Sequence, residues 1–172
     1  MTKLSVNINK IATLRNARGG NVPNVVQFAK DCERFGADGI TVHPRPDERH
    51  ITLKDVYDLA PVVKTEFNIE GYPDARFMEI IRSVKPAQAT LVPDPPHVIT
   101  SNTGWDVTKN KQLLIDIVQE IQSYGVRVSL FLNPEIHQVH EAKLTGTNRI
   151  EFYTGPYAEH YLANKNIAVA QY

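Results

Sequence analysis

Reactive side chains recur in this sequence near the ends of short stretches in which apolar and polar residues alternate. His43 ends one such stretch and Glu70 ends the next, while Arg18 and Arg45 follow two of them. Imidazole exchanges protons near neutral pH, and guanidinium groups offer paired donors to phosphate oxygens. An acid–base pair facing a phosphate clamp suits proton transfer on a phosphorylated carbonyl compound. Lys10 leaves open a Schiff-base alternative, which requires a desolvated, unprotonated amine.

Further polar residues stand at the same kind of position. They are Asn9, Lys10, Arg15, Arg49, His50, Asp94, Asn133 and Glu151. Taken singly, an Arg or His in a loop is usually a solvated charge. Their shared placement makes them candidate site residues, because the catalytic groups of parallel barrels lie at the C-terminal ends of successive strands.

Strand-type and helical patterns alternate along the chain and supply the elements that must position these groups. The strand-type runs cover residues 4–9, 39–43, 66–70, 88–92, 127–132 and 149–153. The amphipathic helical segments cover residues 23–35, 53–64, 74–84, 110–124 and 134–144. Arg15 and Arg18 fall in a long loop after the first run. Such alternation predicts right-handed crossovers and a parallel sheet.

The runs also alternate internally, which favours a barrel over an open sheet. In the second run, Ile40 and Val42 alternate with Thr41 and His43, so one face of the strand is apolar and the other polar. Helices can cover the apolar face, whereas a polar face buried on the other side needs a wet, ligand-binding interior. We therefore predict an α/β fold, a TIM (β/α)₈ barrel with about six units present. The alternative is an antiparallel sheet with one face in water.

Composition narrows the class of protein. The 172 residues carry 19 basic and 19 acidic side chains, which gives no global field for nucleic acid or an anionic membrane. Cys32 is the single cysteine and is read as a buried thiol. His137 and His140 are the one close helical histidine pair, and a solvated helix face explains them better than a metal. We expect one cytoplasmic domain over residues 1–172, with no metal, cofactor, nucleic acid or membrane partner.

Two long motifs resemble the pyridoxine 5′-phosphate synthase family. They are VNINKIATLRNARG at residues 6–19 and GADGITVHPR at residues 36–45, the latter followed by DERHI at 47–51. Shorter matches are NIE at 68–70, LVP at 91–93, VSLF at 128–131 and IEFYTG at 150–155. The resemblance spans about residues 4–160.

The resemblance implies a homo-octameric barrel that condenses 3-amino-2-oxopropyl phosphate with 1-deoxy-D-xylulose 5-phosphate. The products are pyridoxine 5′-phosphate, inorganic phosphate and water. By position, His43 and Glu70 match proton-transfer residues, and Glu151 matches a group that stabilises the transition state. Asn7 and Arg18 match contacts to the amino-ketone phosphate. The positions that match contacts to the deoxyxylulose phosphate are Asn9, Lys10, Arg45, His50 and Thr100.

The sequence departs from the family pattern in two ways. Asn9-Lys10 stands where many members have Asp-His, from which we expect altered detail and retained function. A catalytic His on a seventh strand and a Gly-His phosphate contact after an eighth are also absent. A barrel of this type typically needs about 250 residues, so these 172 residues are expected to require another segment for turnover.

Two other interpretations remain open. The chain could be another phosphosugar barrel enzyme, such as an aldolase or isomerase, which would turn over one substrate alone. It could also be a truncated chain that binds one substrate, or associates through open sheet edges, without catalysis. Titration with each substrate separately distinguishes the three hypotheses.

Overall fold

Six strands and eight helices alternate through residues 1–93, 103–170 and 172, which are the residues that this computed structural model describes. The strands are β1 Ser5–Asn7, β2 Gly39–Val42, β3 Glu66–Gly71, β4 Gln88–Leu91, β5 Arg127–Leu132 and β6 Arg149–Phe152. The helices are α1 Asn9–Arg18, α2 Val25–Arg34, α3 Leu53–Leu59, α4 Ala75–Val84, α5 Val107–Ser123, α6 Ile136–Leu144, α7 Gly155–Tyr161 and α8 Lys165–Ala170.

The strands form one sheet in chain order, β1 to β6, and every neighbouring pair is parallel. This confirms the prediction of an α/β (β/α) barrel with about six units, and it rules out the antiparallel alternative. None of the helices that the structure describes combines the length and the apolar character that crossing a bilayer requires.

The apolar face of the sheet packs against the helices in a single core. Ile40, Ile69 and Leu130 from the strands are fully buried in it, together with Val56 from α3 and Val118 from α5. Each such side chain contributes roughly 1.5–3 kcal/mol when it leaves water. This layer fixes the register of every strand, because a slip of one residue would turn the apolar set away from the helices.

The polar face of the sheet lines the interior and is joined by hydrogen bonds across strands. The Thr41 hydroxyl lies 2.9 Å from that of Ser5 and accepts from Asn68 Nδ2 at 3.3 Å. Thr90 donates to Asn68 Oδ1 at 3.0 Å. The alternation that the sequence shows is therefore explained by an interior in which these buried polar groups satisfy one another.

At the N-terminal end of the strands, an ionic cluster fills the interior. Glu66 pairs with Arg127 and accepts a hydrogen bond from Arg149 Nη1 at 2.9 Å. Arg149 Nη1 also donates to Gln88 Oε1 at 3.1 Å. This cluster ties β3, β4, β5 and β6 together at the end of the barrel opposite to the strand ends that carry the candidate site.

The first strand is shorter than predicted and a helix replaces the predicted loop. β1 ends at Asn7, and Asn9 and Lys10 form the first turn of α1. The expectations that Asn9 and Lys10 end a strand and that Arg15 and Arg18 lie in a loop are therefore wrong. The apolar periodicity of the sequence did not predict α1, because its buried residues are Ala12 and the charged Arg15.

Candidate active site

Three residues from three strands define the centre of the site. His43 follows the last residue of β2, Glu70 lies near the end of β3, and Glu151 lies within β6. Glu70 and Glu151 line one interior cavity of about 360 Å³, which Asn7 and Asn68 also line. The parallel sheet thus brings side chains that are far apart in sequence to one end of the barrel.

His43 is held by its backbone and faces Glu70. Its amide N–H donates to Asn9 Oδ1 at 2.9 Å, and its Nδ1 lies 4.0 Å from Glu70 Oε2. Burial, with a smaller contribution from the positive charge of Arg45, lowers the pKa of His43 to about 3. The imidazole is therefore neutral at pH 7.

The pKa values of the Glu70 and Glu151 carboxyl groups are shifted upward, opposite to that of His43. Burial, with a smaller contribution from the negative charge of Glu151, raises the pKa of Glu70 to about 8. Burial likewise raises the pKa of Glu151. Two carboxylates that share one poorly solvated cavity do not both ionise readily, so at least one of them holds a proton at neutral pH.

These shifts decide what the contact between His43 and Glu70 is. An ion pair between the two would need a charged imidazole, whereas the pKa of His43 is lowered to about 3 and that of Glu70 is raised to about 8. We therefore interpret the 4.0 Å approach as a neutral base beside a neutral acid. Such a pair can accept one proton and deliver another without placing net charge in a buried cavity.

The loop between β2 and α3, residues 43–52, borders this pair. Arg45 is 4% exposed, and His50 Nδ1 accepts from the Ile51 amide at 2.9 Å. Burial lowers the pKa of His50 to about 4, with Arg45 and Lys10 among the positive charges that act on it. Arg49 donates from Nε to Asp47 Oδ2 at 2.7 Å. The buried guanidinium of Arg45 suits the oxygens of a phosphate group.

Asn7 and Asn9 are linked to each other and to His43. Asn7 Oδ1 accepts from the Asn9 amide at 3.0 Å, and Asn9 Oδ1 accepts from the His43 amide. The acceptor ends of both side chains are thus occupied by the backbone. Asn9 consequently has a positioning contact that sequence reasoning did not foresee.

The structure separates Arg18 and Arg15 from the central group. Arg18 is the exposed last residue of the ten-residue helix α1, which places its Cα about 14 Å from that of Asn9. Arg15 is buried and pairs with Asp55 of α3, with Nη2 at 2.8 Å from Oδ2. Arg15 therefore joins two helices and does not face the cavity centre. The pattern Thr52-x-x-Asp55 is a capping box that the sequence already displays.

Between β4 and α5, residues 94–102 lie outside the described residues. They include Asp94 and Thr100, a predicted substrate contact. The next residues are seated on the strand ends, since Gly104 donates from its amide to Asn133 Oδ1 at 2.9 Å and Trp105 Nε1 donates to the Leu91 carbonyl at 3.0 Å. Of the predicted histidine pair, His137 Nε2 lies 3.0 Å from the Thr108 hydroxyl, a contact between α6 and α5.

Solved structures of other enzymes share this fold. The L230A mutant of flavocytochrome b2 with benzoylformate aligns with a TM-score of 0.61 at 11% identity, covering 96% of this chain and 45% of that one. A putative dihydrodipicolinate synthetase from Pseudomonas aeruginosa aligns with a TM-score of 0.58 at 13% identity, covering 99% and 56%. At such low identity, these likenesses concern the fold alone.

Sequence comparisons are more specific. The family model described as Pyridoxal phosphate biosynthesis protein PdxJ matches residues 4–172. Pyridoxine 5′-phosphate synthase of Bacteroides fragilis (strain YCH46) is 58% identical over the whole chain, which spans 73% of that relative. The enzymes of the same name from Porphyromonas gingivalis and Cytophaga hutchinsonii are 57% and 53% identical, each matched over 72% of its length. This chain belongs to the PdxJ family of pyridoxal phosphate biosynthesis proteins.

Proposed function

We propose that this chain acts as a pyridoxine 5′-phosphate synthase. It condenses 3-amino-2-oxopropyl phosphate with 1-deoxy-D-xylulose 5-phosphate and releases pyridoxine 5′-phosphate, inorganic phosphate and water. Relatives of that name are 53–58% identical over the whole chain. The observation that carries the proposal is a neutral His43 beside a protonated Glu70, bordered by loop 43–52 with its buried Arg45.

Ring closure of this kind needs protons moved in both directions. When an amine adds to a carbonyl and water leaves, protons are removed from nitrogen and carbon, and others are delivered to the departing oxygen. The neutral imidazole of His43 accepts a proton that leaves nitrogen or carbon. The protonated carboxyl of Glu70 supplies a proton to the departing oxygen. Glu151 lines the same cavity and carries a raised pKa, so it can hold or return a proton as positive charge develops on the substrate.

The two phosphate groups are assigned to different parts of the site. Arg45, Lys10 and His50 bind the phosphate group of the deoxyxylulose substrate, because the charges of Arg45 and Lys10 both act at the neutral imidazole of His50. Asn9 contributes there through its free amide end and by holding His43. Arg18 and Asn7 bind the amino-ketone phosphate, and Thr100 completes the deoxyxylulose phosphate site.

Assembly and location follow from the same proposal. Family members that carry this activity are biosynthetic enzymes acting on small phosphorylated substrates, and we assign this chain to the cytoplasm as a homo-octamer. Equilibrium sedimentation of the purified protein tests the octamer directly. A monomer or dimer at micromolar concentration would contradict it.

The function is tested by supplying the substrates singly and together. The purified protein is incubated with each phosphorylated substrate alone and then with both, and pyridoxine 5′-phosphate and inorganic phosphate are quantified. Formation of both products only when both substrates are present supports the synthase. Turnover of one substrate alone would indicate an aldolase or isomerase, and binding without phosphate release would indicate a non-catalytic chain.

A further inference from the structure

Loop 43–52 has no regular secondary structure of its own, although the proposed phosphate site depends on it. It carries His43 at its start, Arg45 near its middle and His50 near its end. Ordering a flexible charged loop around a phosphate consumes binding free energy through lost entropy. The contacts that hold the loop before substrate arrives therefore set how tightly this site can bind.

Asn16 of α1 holds the far end of the loop. Its Nδ2 donates to the backbone carbonyl of His50 at 2.8 Å and to that of Glu48 at 3.2 Å. Its Oδ1 accepts from Nε and Nη2 of Arg15 at 3.0 and 2.9 Å. Because Arg15 occupies the acceptor end of the amide, the donor end is turned toward the loop.

Arg15, which holds the acceptor oxygen of Asn16, is itself fixed by an ion pair. Arg15 forms a two-pronged ion pair with Asp55, whose side chain also accepts from the amide and hydroxyl of Thr52 at 2.8 Å each. Arg15 Nη2 also donates to the His50 carbonyl at 3.3 Å. The start of α3 and the turns of α1 are thereby tied to the end of the loop.

Arg76 of α4 holds the near side. Its Nη1 donates to the Pro44 carbonyl at 2.7 Å, and its Nη2 lies 3.7 Å from Glu48 Oε1. Glu48 has a left-handed backbone with φ of 51°, and its Oε1 accepts from the Leu53 amide at 2.8 Å. A non-glycine residue keeps such a conformation only where its surroundings impose it, so the loop is clamped from both α1 and α4.

We propose that Asn16 and Arg76 are positioning residues that hold loop 43–52 in the shape that binds the phosphate group of the deoxyxylulose substrate, without touching the substrate themselves. The inference rests on the proposed function, because it assigns that phosphate to Arg45 and His50. It adds two residues that act through backbone carbonyls of the loop and through Glu48.

Binding and kinetics of Asn16→Ala and Arg76→Met test the inference. For Asn16→Ala, both the Kd by calorimetry and the KM for the deoxyxylulose phosphate are expected to rise about three- to tenfold, as for the loss of one or two hydrogen bonds. Arg76→Met is expected to do the same. The KM for the amino-ketone phosphate and the kcat are expected to stay within about twofold of the wild-type values.

Gln122→Ala is the matched control for a merely structural loss. Gln122 of α5 also donates through its amide to two acceptors, the Gly146 carbonyl at 2.9 Å and Asn148 Oδ1 at 3.0 Å. These contacts precede β6, at the N-terminal end of the sheet. Gln122→Ala should lower the thermal midpoint comparably to Asn16→Ala and leave the Kd for the deoxyxylulose phosphate unchanged.

Asn16→Asp is the second variant, since it keeps an acceptor for Arg15 but removes both donors to the loop. It should weaken binding of the deoxyxylulose phosphate at least as much as Asn16→Ala. An unchanged Kd in both Asn16 variants, or an equal loss for both substrates, would overturn the positioning role. Wild-type protein that binds this substrate but forms no pyridoxine 5′-phosphate would refute the proposed function alone, and wild-type protein that does not bind it would refute both.

Discussion

His43 Nδ1 and Glu70 Oε2 lie 4.0 Å apart, and each side chain is 12% exposed. The pKa of the imidazole is lowered to about 3 and that of the carboxyl is raised to about 8, both mainly by burial. Between these limits the pair holds one proton, on the carboxyl. The barrel therefore sets an acid and a base side by side without creating an ion pair, which is the state that two-way proton transfer at neutral pH requires.

Replacing His43 by asparagine removes the base of this pair and keeps a polar side chain of moderate size. We expect His43→Asn to lower kcat by more than about tenfold with the fold intact, since a positioned acid–base group contributes about 10²–10⁴ in rate. Steady-state kinetics and circular dichroism check this. His160→Asn on the exposed surface of α7 is the control, and equal rates in the two variants would remove His43 from the mechanism.

Replacing Glu70 by glutamine should abolish one limb of the pH–rate profile. With the pKa of Glu70 at about 8, kcat/KM of the wild-type protein is expected to fall as pH rises through that value, because the proton that Glu70 delivers is lost. Glu70→Gln should be slower by more than about tenfold and lack that fall. A basic limb that persists unchanged in Glu70→Gln would assign it to another group.

The free energy of unfolding should decline as pH rises above 6.5. His43 and His50 have folded-state pKa values of about 3 and 4, below their ordinary 6.5, so the stability they contribute is lost as pH falls below 6.5. The pKa of Glu70 is raised from 4.5 to about 8, so its contribution is lost as pH rises toward 8.

Urea unfolding between about pH 4 and pH 8.5 measures this curve. Between pH 4.5 and 6.5 two histidines oppose two buried carboxyl groups, Glu70 and Glu151, and above 6.5 only the effect of raised carboxyl pKa values remains. Glu70→Gln should therefore show a shallower decline above pH 6.5 than the wild-type protein. A decline of equal slope in both would contradict the assignment of the raised pKa to Glu70.

Two variants of Asn9 should distinguish the effect of losing its acceptor oxygen from the effect of adding a negative charge at this position. Asn9→Leu leaves the buried His43 N–H without its 2.9 Å partner, which costs about 1–3 kcal/mol of stability. Asn9→Asp keeps an acceptor and adds a negative charge that raises the pKa of His43. We expect Asn9→Asp to retain kcat within a few-fold and to shift the acidic limb of the pH–rate profile upward. Equal damage by both variants would mean that the acceptor is not what matters.

Arg18 is assigned to one phosphate only, so its removal should be selective. Arg18→Ala is expected to raise the KM for the amino-ketone phosphate at least about tenfold, as for a lost charge-assisted hydrogen bond. The KM for the deoxyxylulose phosphate should change little. Arg34→Ala is the control, because Arg34 likewise ends an exposed helix. Equal loss for both substrates would contradict the assignment.

The order and type of the elements could be read from the sequence because both depend on local patterns. The period-two alternation in residues 39–43 and the amphipathic spacing in residues 74–84 predicted β2 and α4, which the structure has at Gly39–Val42 and Ala75–Val84. Gly36 and Gly125 follow helices with φ of 101° and 81°, a conformation that glycine adopts without steric cost. Helix α1 escaped prediction because its buried face includes Arg15, whose charge breaks the apolar pattern.

The sequence by itself determined the alternating strands and helices, the parallel sheet, the strand ends at which His43 and Glu70 fall, and the placement of Glu151 within the sixth strand. It did so because burial on one face of each element leaves a readable period. The tertiary structure alone decided the protonation of His43 and Glu70, the pairing of Arg15 with Asp55, and the clamp of Asn16 and Arg76 on the loop. Those properties depend on distances and desolvation between residues far apart in the sequence, such as Arg15 and Asp55 at 40 positions, for which no local pattern exists.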